Sequence, residues 1–303
     1  MDGNTRGAPD GRVRLPTPRA APGWLAGVRR PEAAWLLVAP LLLTLAFLYM
    51  APLVNLLRIS VTDPAPGLEN YRHLLTNAGM RRVLWATLRV SAITAALALL
   101  LGYLVAYVML HAGRWHLLWI TAFVLVPFWV SVLVRAFAWL TLLRTEGLVN
   151  RALLGLGLIA SPLALVRNEL GVLIGMVHYM IPYAILPLYA NMRGIDPKLV
   201  LASRSLGASP LRSFMRVFLP LSMPGIVAAG TLTFILSLGF LVTPALLGGG
   251  RVVMVSEYIR LQIFQTVRWG IGTMMAACLL FVVLLLLAVL SRVVRVRDLF
   301  GAQ

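Results

Sequence analysis

The chain is built around six apolar blocks, at about 34–57, 83–110, 117–143, 171–190, 225–246 and 271–290. Each is about 20 residues or longer, the length at which an α-helix crosses the hydrocarbon of a bilayer. No other feature restricts the fold so strongly, because in lipid only helices and closed barrels satisfy every backbone N–H and C=O. Composition points the same way: 60% of the residues are apolar and 12% charged, where a soluble domain has about 25% charged. The expected fold class is an all-α membrane protein of about six transmembrane helices occupying residues 34–292. The Pro-, Gly- and Arg-rich residues 1–33 carry no apolar stretch of signal-peptide type; they and residues 293–303 are expected to be cytoplasmic tails, the first of them disordered.

The formal charge is +17, almost all of it arginine, with Lys198 the sole lysine. Two readings are open: a surface for an acidic partner or anionic lipid, and topology, since cytoplasmic loops retain positive charge. An even number of spans puts both termini on one side. With them lie Arg114, the run Arg193, Lys198, Arg204, Arg212 and Arg216, and the basic residues of both tails. The opposite loops hold ten: Arg58, Arg72, Arg81, Arg82, Arg144, Arg151, Arg167, Arg251, Arg260 and Arg268. The bias places both termini in the cytoplasm. Arg89 and Arg135 fall within blocks.

Several function classes are excluded or disfavoured. Ion- or proton-coupled transporters need ionisable groups, usually carboxylates, within the spans; no Asp or Glu lies in any of the six blocks. No basic face interleaved with exposed aromatics suggests nucleic acid. Cys278 is the one cysteine and no Cys/His spacing suits a metal. No Ser/His pair on adjacent turns suggests an intramembrane enzyme, and Gly-x-x-x-x-Gly-Lys-Ser/Thr does not occur around Lys198, so no phosphate-cradling loop is present.

Between the blocks, Leu68, Tyr71, Leu74 and Leu75 have helical spacing within Gly67–Arg82. Glu146–Leu156 and Ser256–Val267 read as short amphipathic helices, the latter with Ile259, Ile263 and Val267 on one stripe. The linker between the fourth and fifth blocks is the most informative. Asp196 and Pro197 are a cap and first turn; helix then runs to about Leu206, and Gly207 suits a left-handed stop. Ser209 and Pro210 restart a second helix, which Pro220 and Pro224 are expected to end. The prediction is two short helices at an angle, protruding from the bundle.

This linker resembles the signature of binding-protein-dependent ABC importer permeases: Glu-Ala-Ala, three residues, Gly, nine residues, then Ile-x-Leu-Pro. Leu201-Ala202-Ser203 occupies the first triplet, Gly207 falls at the required spacing, and Val217-Phe218-Leu219-Pro220 closes the pattern. Leu201 stands where the family usually has glutamate. The resemblance runs from about Trp35 to Arg292. Val126-Pro127-Phe128-Trp129 with Ser131 and Arg135, Leu238-Gly239-Phe240 with Pro244–Gly249, and Gln262 through Gly270 look like the spermidine/putrescine type; importers of iron, thiamine, phosphonates or opines look similar. The resemblance implies a type I importer fold. It also implies a second permease subunit, a pair of cytoplasmic ATPases that use ATP, a periplasmic solute-binding protein, and no cofactor on this chain. On that pattern the ATPase-coupling residues are Leu201, Ala202, Ser203, Arg204, Ser205, Leu206, Gly207, Ala208, Ser209 and Pro220.

For the translocation pathway the sequence offers Trp129, Ser131, Arg135, Tyr179, Ser237 and Phe240. A charge at mid-membrane must face the protein interior, so Arg135 lines or gates a route, or pairs structurally. Trp129, Phe128, Tyr179, Tyr183 and Phe240 form an aromatic passage for a cation or ordinary packing. Ser131 and Ser237 line a polar route or bond their own helix. Gly171 and Gly175 permit close helix contact, read here as a subunit interface. His178 is a proton relay or a packing residue.

Overall fold

The structure, a computed structural model, describes residues 31–293, with side chains from 38 to 292. The described residues form helices and no strand. Residues through Asn55 make one compact unit and those from Leu56 another. The first unit contributes most of α1 (Pro31–Thr62), which opens three residues before the expected block and carries Pro40 and Pro52.

The second unit contains α2 (Glu69–Thr76), α3 (Ala78–His111), α4 (Arg114–Trp129), α5 (Val132–Leu143), α6 (Leu148–Gly155) and α7 (Glu169–Arg193). It continues with α8 (Pro197–Ser205), α9 (Pro210–Ser213), a five-residue π turn (Phe214–Phe218), α10 (Leu219–Leu238), α11 (Val242–Leu247), α12 (Val255–Phe264) and α13 (Trp269–Val293). By length and apolarity five segments can span a bilayer, or six with α4 and α5–α6 counted as one broken span. The two expected tails otherwise lie outside the described residues.

Helices α3, α7 and α10 pack together. Their shared core holds Ala106 and Met109 from α3, Ala184, Ile185, Leu188 and Met192 from α7, and Ala229 from α10, with Phe218 of the π turn. Helix starts are set locally: the Asn77 side chain accepts from the Gly79 and Met80 amides, and that of Asn168 from the Gly171 amide, satisfying donors that an N-terminus leaves free.

Three expectations change. The third block is not one helix: α4 and α5–α6 meet at 101° across Val130 and Ser131. Pro127 near the end of α4 can donate no N–H, and Ser131 restarts the chain by accepting from the Leu133 amide. Arg135 therefore lies in the first turn of α5 rather than midway along a continuous span. The fifth block ends at Leu238, and Val242–Leu247 is a separate short helix. Pro220 and Pro224 do not end a helix; helix is continuous from Pro210 to Leu238. The π turn explains this, since the Leu219 amide reaches back to the Phe214 carbonyl. The wider turn makes room for the pyrrolidine of Pro220, which would crowd the preceding turn of an α-helix.

At the end of the unit holding α2, α12 and the start of α13, polar ties replace regular structure. Asn70 donates to the carbonyls of Ser60 (3.0 Å) and Asp63 (2.7 Å), the hydroxyls of Tyr71 and Ser60 are 2.9 Å apart, and the Gly270 amide donates to Asp63 Oδ2 at 2.6 Å. The buried Asn150 side chain spans its loop, bonding the Leu163 amide and carbonyl and the Arg144 carbonyl. The Val255 amide donates to Thr87 Oγ1 at 2.8 Å, pinning α12 to α3. Helix α12 stops at Phe264, so Val267 is not on its stripe; it is exposed with φ +54°.

Glu257 of α12 is buried and its Oε2 has no hydrogen-bond partner. Burial pushes its carboxyl above the ordinary value, and the charge of Arg260 pulls the other way. The folded state therefore holds the proton more tightly than the unfolded chain, and stability falls as pH rises from the ordinary carboxylate value through the raised one. Glu257→Gln is expected to raise the melting temperature in detergent at neutral pH. The gain should vanish as the pH falls to about 4, where both states are protonated; a pH series of thermal melts reads this.

Candidate functional site

Two sites emerge from the predicted residues. The first is the protrusion between α7 and α10. Helix α7 ends at Arg193, where the Gly194 amide bonds the Asn191 carbonyl, and Asp196 caps α8 by accepting from the Lys198 amide at 2.9 Å. At the far end the Gly207 amide bonds the Arg204 carbonyl (2.9 Å) and the Ala208 amide the Ser203 carbonyl (3.1 Å), with Gly207 at φ +85°. This is the paired-bond helix stop that a left-handed residue allows. Ser209 then caps α9 through the Arg212 amide. The two helices are tied by Ser203 Oγ donating to Ser213 Oγ at 2.6 Å. Ile195 and Val200 pack the base onto the α3–α7–α10 core.

Away from that base the protrusion is solvent-exposed and largely apolar. Leu201 is 60% exposed and Leu206 89%, and Ala202, Arg204, Ser205, Gly207 and Ser209 are also exposed. Ser203 and Ala208 are half-buried and face the second helix or the turn, and Pro220 lies exposed beyond the π turn. The exposed surface therefore presents Leu201, Leu206 and Leu211 with Arg204, not a carboxylate.

Behind the protrusion lies an aromatic group that the sequence patterns left unmarked. Tyr107 meets Phe214 and Phe218 edge-on at 5.7 and 5.4 Å, and Tyr103 meets Phe214 at 6.3 Å. The i, i+4 spacing of both pairs was the available signal. These rings join the π turn to α3, and a cavity of about 610 Å³ beside them is lined by His111, Arg193 and Arg204 with apolar neighbours and no carboxylate.

The second site lies where both broken segments approach α7. Tyr179 and Tyr183 of α7 stack at 5.7 Å; Phe240, from the break between α10 and α11, lies 4.7 Å from Tyr179; Phe128, near the end of α4, lies 5.2 Å from Tyr183. The Arg135 guanidinium carbon sits 4.1 Å from the centre of the Tyr179 ring. Of the residues the sequence offered for a pathway, Arg135, Tyr179 and Phe240 are thus brought together. The others are placed apart. Trp129 is 85% exposed and outside the ring contacts. Ser131 is spent as the cap of α5, and Ser237 is fully buried with its Oγ unpartnered, not lining an open route. His178 Nδ1 accepts from Trp139 Nε1 at 3.2 Å, a packing role. Gly175 serves contact within the chain, not a subunit interface, since a Cβ there would lie 2.6 Å from Thr243 Cγ2 and 2.8 Å from Leu247 Cδ1 of α11.

Among the described residues no group of His, Cys, Asp and Glu is arranged to hold a metal. What the two sites offer is an exposed apolar protrusion built into a continuous helix and a ring cluster where two helix breaks approach α7.

Comparison with known proteins bears on the family and the fold. Residues 98–297 match the family described as binding-protein-dependent transport system inner membrane component. The spermidine/putrescine transport system permease protein PotB of Haemophilus influenzae is 32% identical over 225 residues, covering 74% of this chain and 78% of its own. PotB of Escherichia coli is 33% identical over 234 residues, 76% and 84% of the two chains. A bacterial ABC transporter involved in the import of the acidic polysaccharide alginate superposes with a TM-score of 0.69 at 18% identity, covering 90% of this chain and 99% of that one; at that identity the likeness is one of fold, the type I permease fold. The chain is therefore a multi-pass ABC importer permease belonging to the family of binding-protein-dependent transport system inner membrane components.

Proposed function

We propose that this permease forms half of the pathway by which an ATP-driven importer carries a polyamine across the inner membrane. A second permease subunit supplies the other half, a periplasmic binding protein delivers the solute, and two cytoplasmic ATPases hold and hydrolyse the ATP. This chain binds no cofactor of its own. Both termini and the α8–α9 protrusion lie in the cytoplasm. The observation that carries the substrate class is identity of 32–33% with spermidine/putrescine permeases across about three quarters of the chain.

The coupling step rests on connectivity. Leu201, Ala202, Arg204, Ser205, Leu206, Gly207 and Ser209 present their surface to a cleft on the ATPase, while Ser203, Ala208 and Pro220 hold the shape behind it. Because helix runs unbroken from Pro210 to Leu238, movement of that cleft passes directly into α10, and through the short Gly194–Asp196 link into α7. A two-state rocking of the bundle follows only if ATPase closure binds one state better than the other. The exposed leucines provide contacts that such a difference needs.

The test is reconstitution of the permease pair, ATPases and binding protein in liposomes. Expected is spermidine accumulation that requires hydrolysable ATP and the binding protein. Accumulation that persists without ATP, or none with all components present, overturns the reading.

A further inference from the structure

Two breaks in membrane helices converge on one group of rings. The α4–α5 break brings in Phe128 and Arg135, the α10–α11 break brings in Phe240, and α7 supplies Tyr179 and Tyr183. Non-helical backbone at membrane depth is tolerated where it is buried in protein or lines a cavity, and interrupted helices in transporters mark where the solute passes. Arg135 is the charge placed there. Its guanidinium lies over the Tyr179 face, and its Nε is buried with no hydrogen-bond partner. The ion pair found within the described bundle is Arg89–Glu169, on other side chains. A structural arginine at this depth is normally held by a carboxylate or by carbonyls; this one is held by a π face.

An aromatic face that holds a guanidinium holds an alkylammonium by the same quadrupole attraction. The two cations compete for one seat. We propose that Arg135 is a tethered internal cation that occupies the Tyr179 ring in the solute-free permease and is displaced by an ammonium group of the passing polyamine. The inference rests on the polyamine reading above. It removes an apparent conflict, since a fixed arginine in a cation pathway repels its cargo only if it stays where the cargo must go. Displaced, the side chain swings away on its flexible stem, and the unpaired Nε becomes available to a new acceptor. With no solute the ring stays filled, which blocks other small cations.

The test uses the assembled permease–ATPase complex in detergent without the binding protein, with radiolabelled spermidine as probe. Arg135→Met, which keeps the stem and removes the charge, is expected to bind spermidine at least fivefold more tightly than wild type. In proteoliposomes it should leak preloaded spermidine without ATP. Arg135→Lys keeps a competing cation and should bind as wild type does. Tyr179→Phe keeps the π face and should also match wild type; Tyr179→Leu should lose binding in both the wild-type and the Arg135→Met background. ATP-driven spermidine accumulation by the wild-type complex with its binding protein is measured alongside. If that fails, the polyamine reading falls and the tethered cation with it. If it succeeds while Arg135→Met binds spermidine no better than wild type, or worse, the tethered cation alone is overturned. A gain of binding by wild type for a phosphonate that Arg135→Met loses would make Arg135 an anion ligand and overturns it too.

Discussion

Gly207→Val is expected to cut ATP-dependent uptake about tenfold or more while leaving the membrane bundle folded. The cause is conformational. Gly207 holds φ +85° at the stop of α8, and a Cβ built there meets no atom within 4 Å. Space is free, so only backbone preference opposes a side chain. A β-branched residue in that region costs roughly 1–3 kcal/mol, and 1.4 kcal/mol is a factor of ten. The chain escapes the cost by rotating out of the left-handed region. That breaks the bonds from Gly207 to Arg204 and from Ala208 to Ser203 and swings α8 away from α9. The proposed docking surface of Leu201, Leu206 and Leu211 then loses its shape, while α3, α7 and α10 keep theirs. A graded series separates this from mere bulk: Gly207→Asn, tolerant of left-handed backbone, should retain most uptake, Gly207→Ala less, and Gly207→Val least. ATPase co-purification should fall in the same order. Equal uptake by the Asn and Val variants would show that the left-handed turn does not control coupling.

That turn was legible because its determinants are local. Asp196, Pro197, Gly207, Ser209 and Pro210 each act within about four residues, and each acts as its type requires. Helices α3, α7 and α13 were legible for a different reason, their uninterrupted apolar length. In the third block Pro127 marks a kink in the sequence, but the full break at Val130 and Ser131 was not legible, because both residues sit comfortably in an apolar run and the deciding factors combine that proline with a serine that can cap. Pro220 misled in the opposite direction: a proline ends a helix only when the turn before it cannot widen, and here the Phe214–Phe218 π turn widens. At the ring cluster, Arg135, Tyr179 and Phe240 could be picked out one by one as unusual residues in apolar surroundings. A grouping of Phe128, Tyr179, Tyr183 and Phe240 was among the readings open from the sequence; the seating of Arg135 on Tyr179 was not, since no periodicity links α5, α7 and the α10–α11 break. Trp129 and Ser131 show the cost of reasoning from residue type alone: both lie beside Arg135 in sequence, and neither joins the cluster.

Gly270→Ala is expected to lower the melting temperature in detergent by about 6–8 °C, or to prevent recovery of folded protein, although it adds one methyl group. The first turn of α13 crosses the carbonyl of Asp63 so closely that a Cβ on residue 270 would overlap that oxygen and lie 2.8 Å from Asn70 Nδ2. Neither group has room to retreat. Asp63 is held by its own amide on the Ile59 carbonyl and by the Gly270 amide on Oδ2. Asn70 is held by two carbonyls, those of Ser60 and Asp63. Overpacking costs about 1–3 kcal/mol, and parting Asn70 from its buried acceptors adds about 1–3 kcal/mol for the groups left unpaired. The sum, on the order of 4 kcal/mol, is a large share of the 5–15 kcal/mol by which folded domains are typically stable. A loss of 1 kcal/mol moves the melting point by roughly 1.5–2 °C in a chain of about 300 residues. Gly272→Ala, two residues on, is the control. Its added Cβ would lie 2.6 Å from Ile263 Cγ1 and 3.1 Å from Cδ1, atoms of an apolar side chain rather than of a hydrogen-bonded backbone carbonyl, so the overlap breaks no polar tie and its melting point should fall by less than that of the Gly270 variant. Asn70→Leu should fall between the two, removing the bonds without the overlap. Equal melting points for the Gly270 and Gly272 variants would mean that the Asp63 carbonyl is free to move, and that the polar tie at this end of the bundle is not what fixes α13.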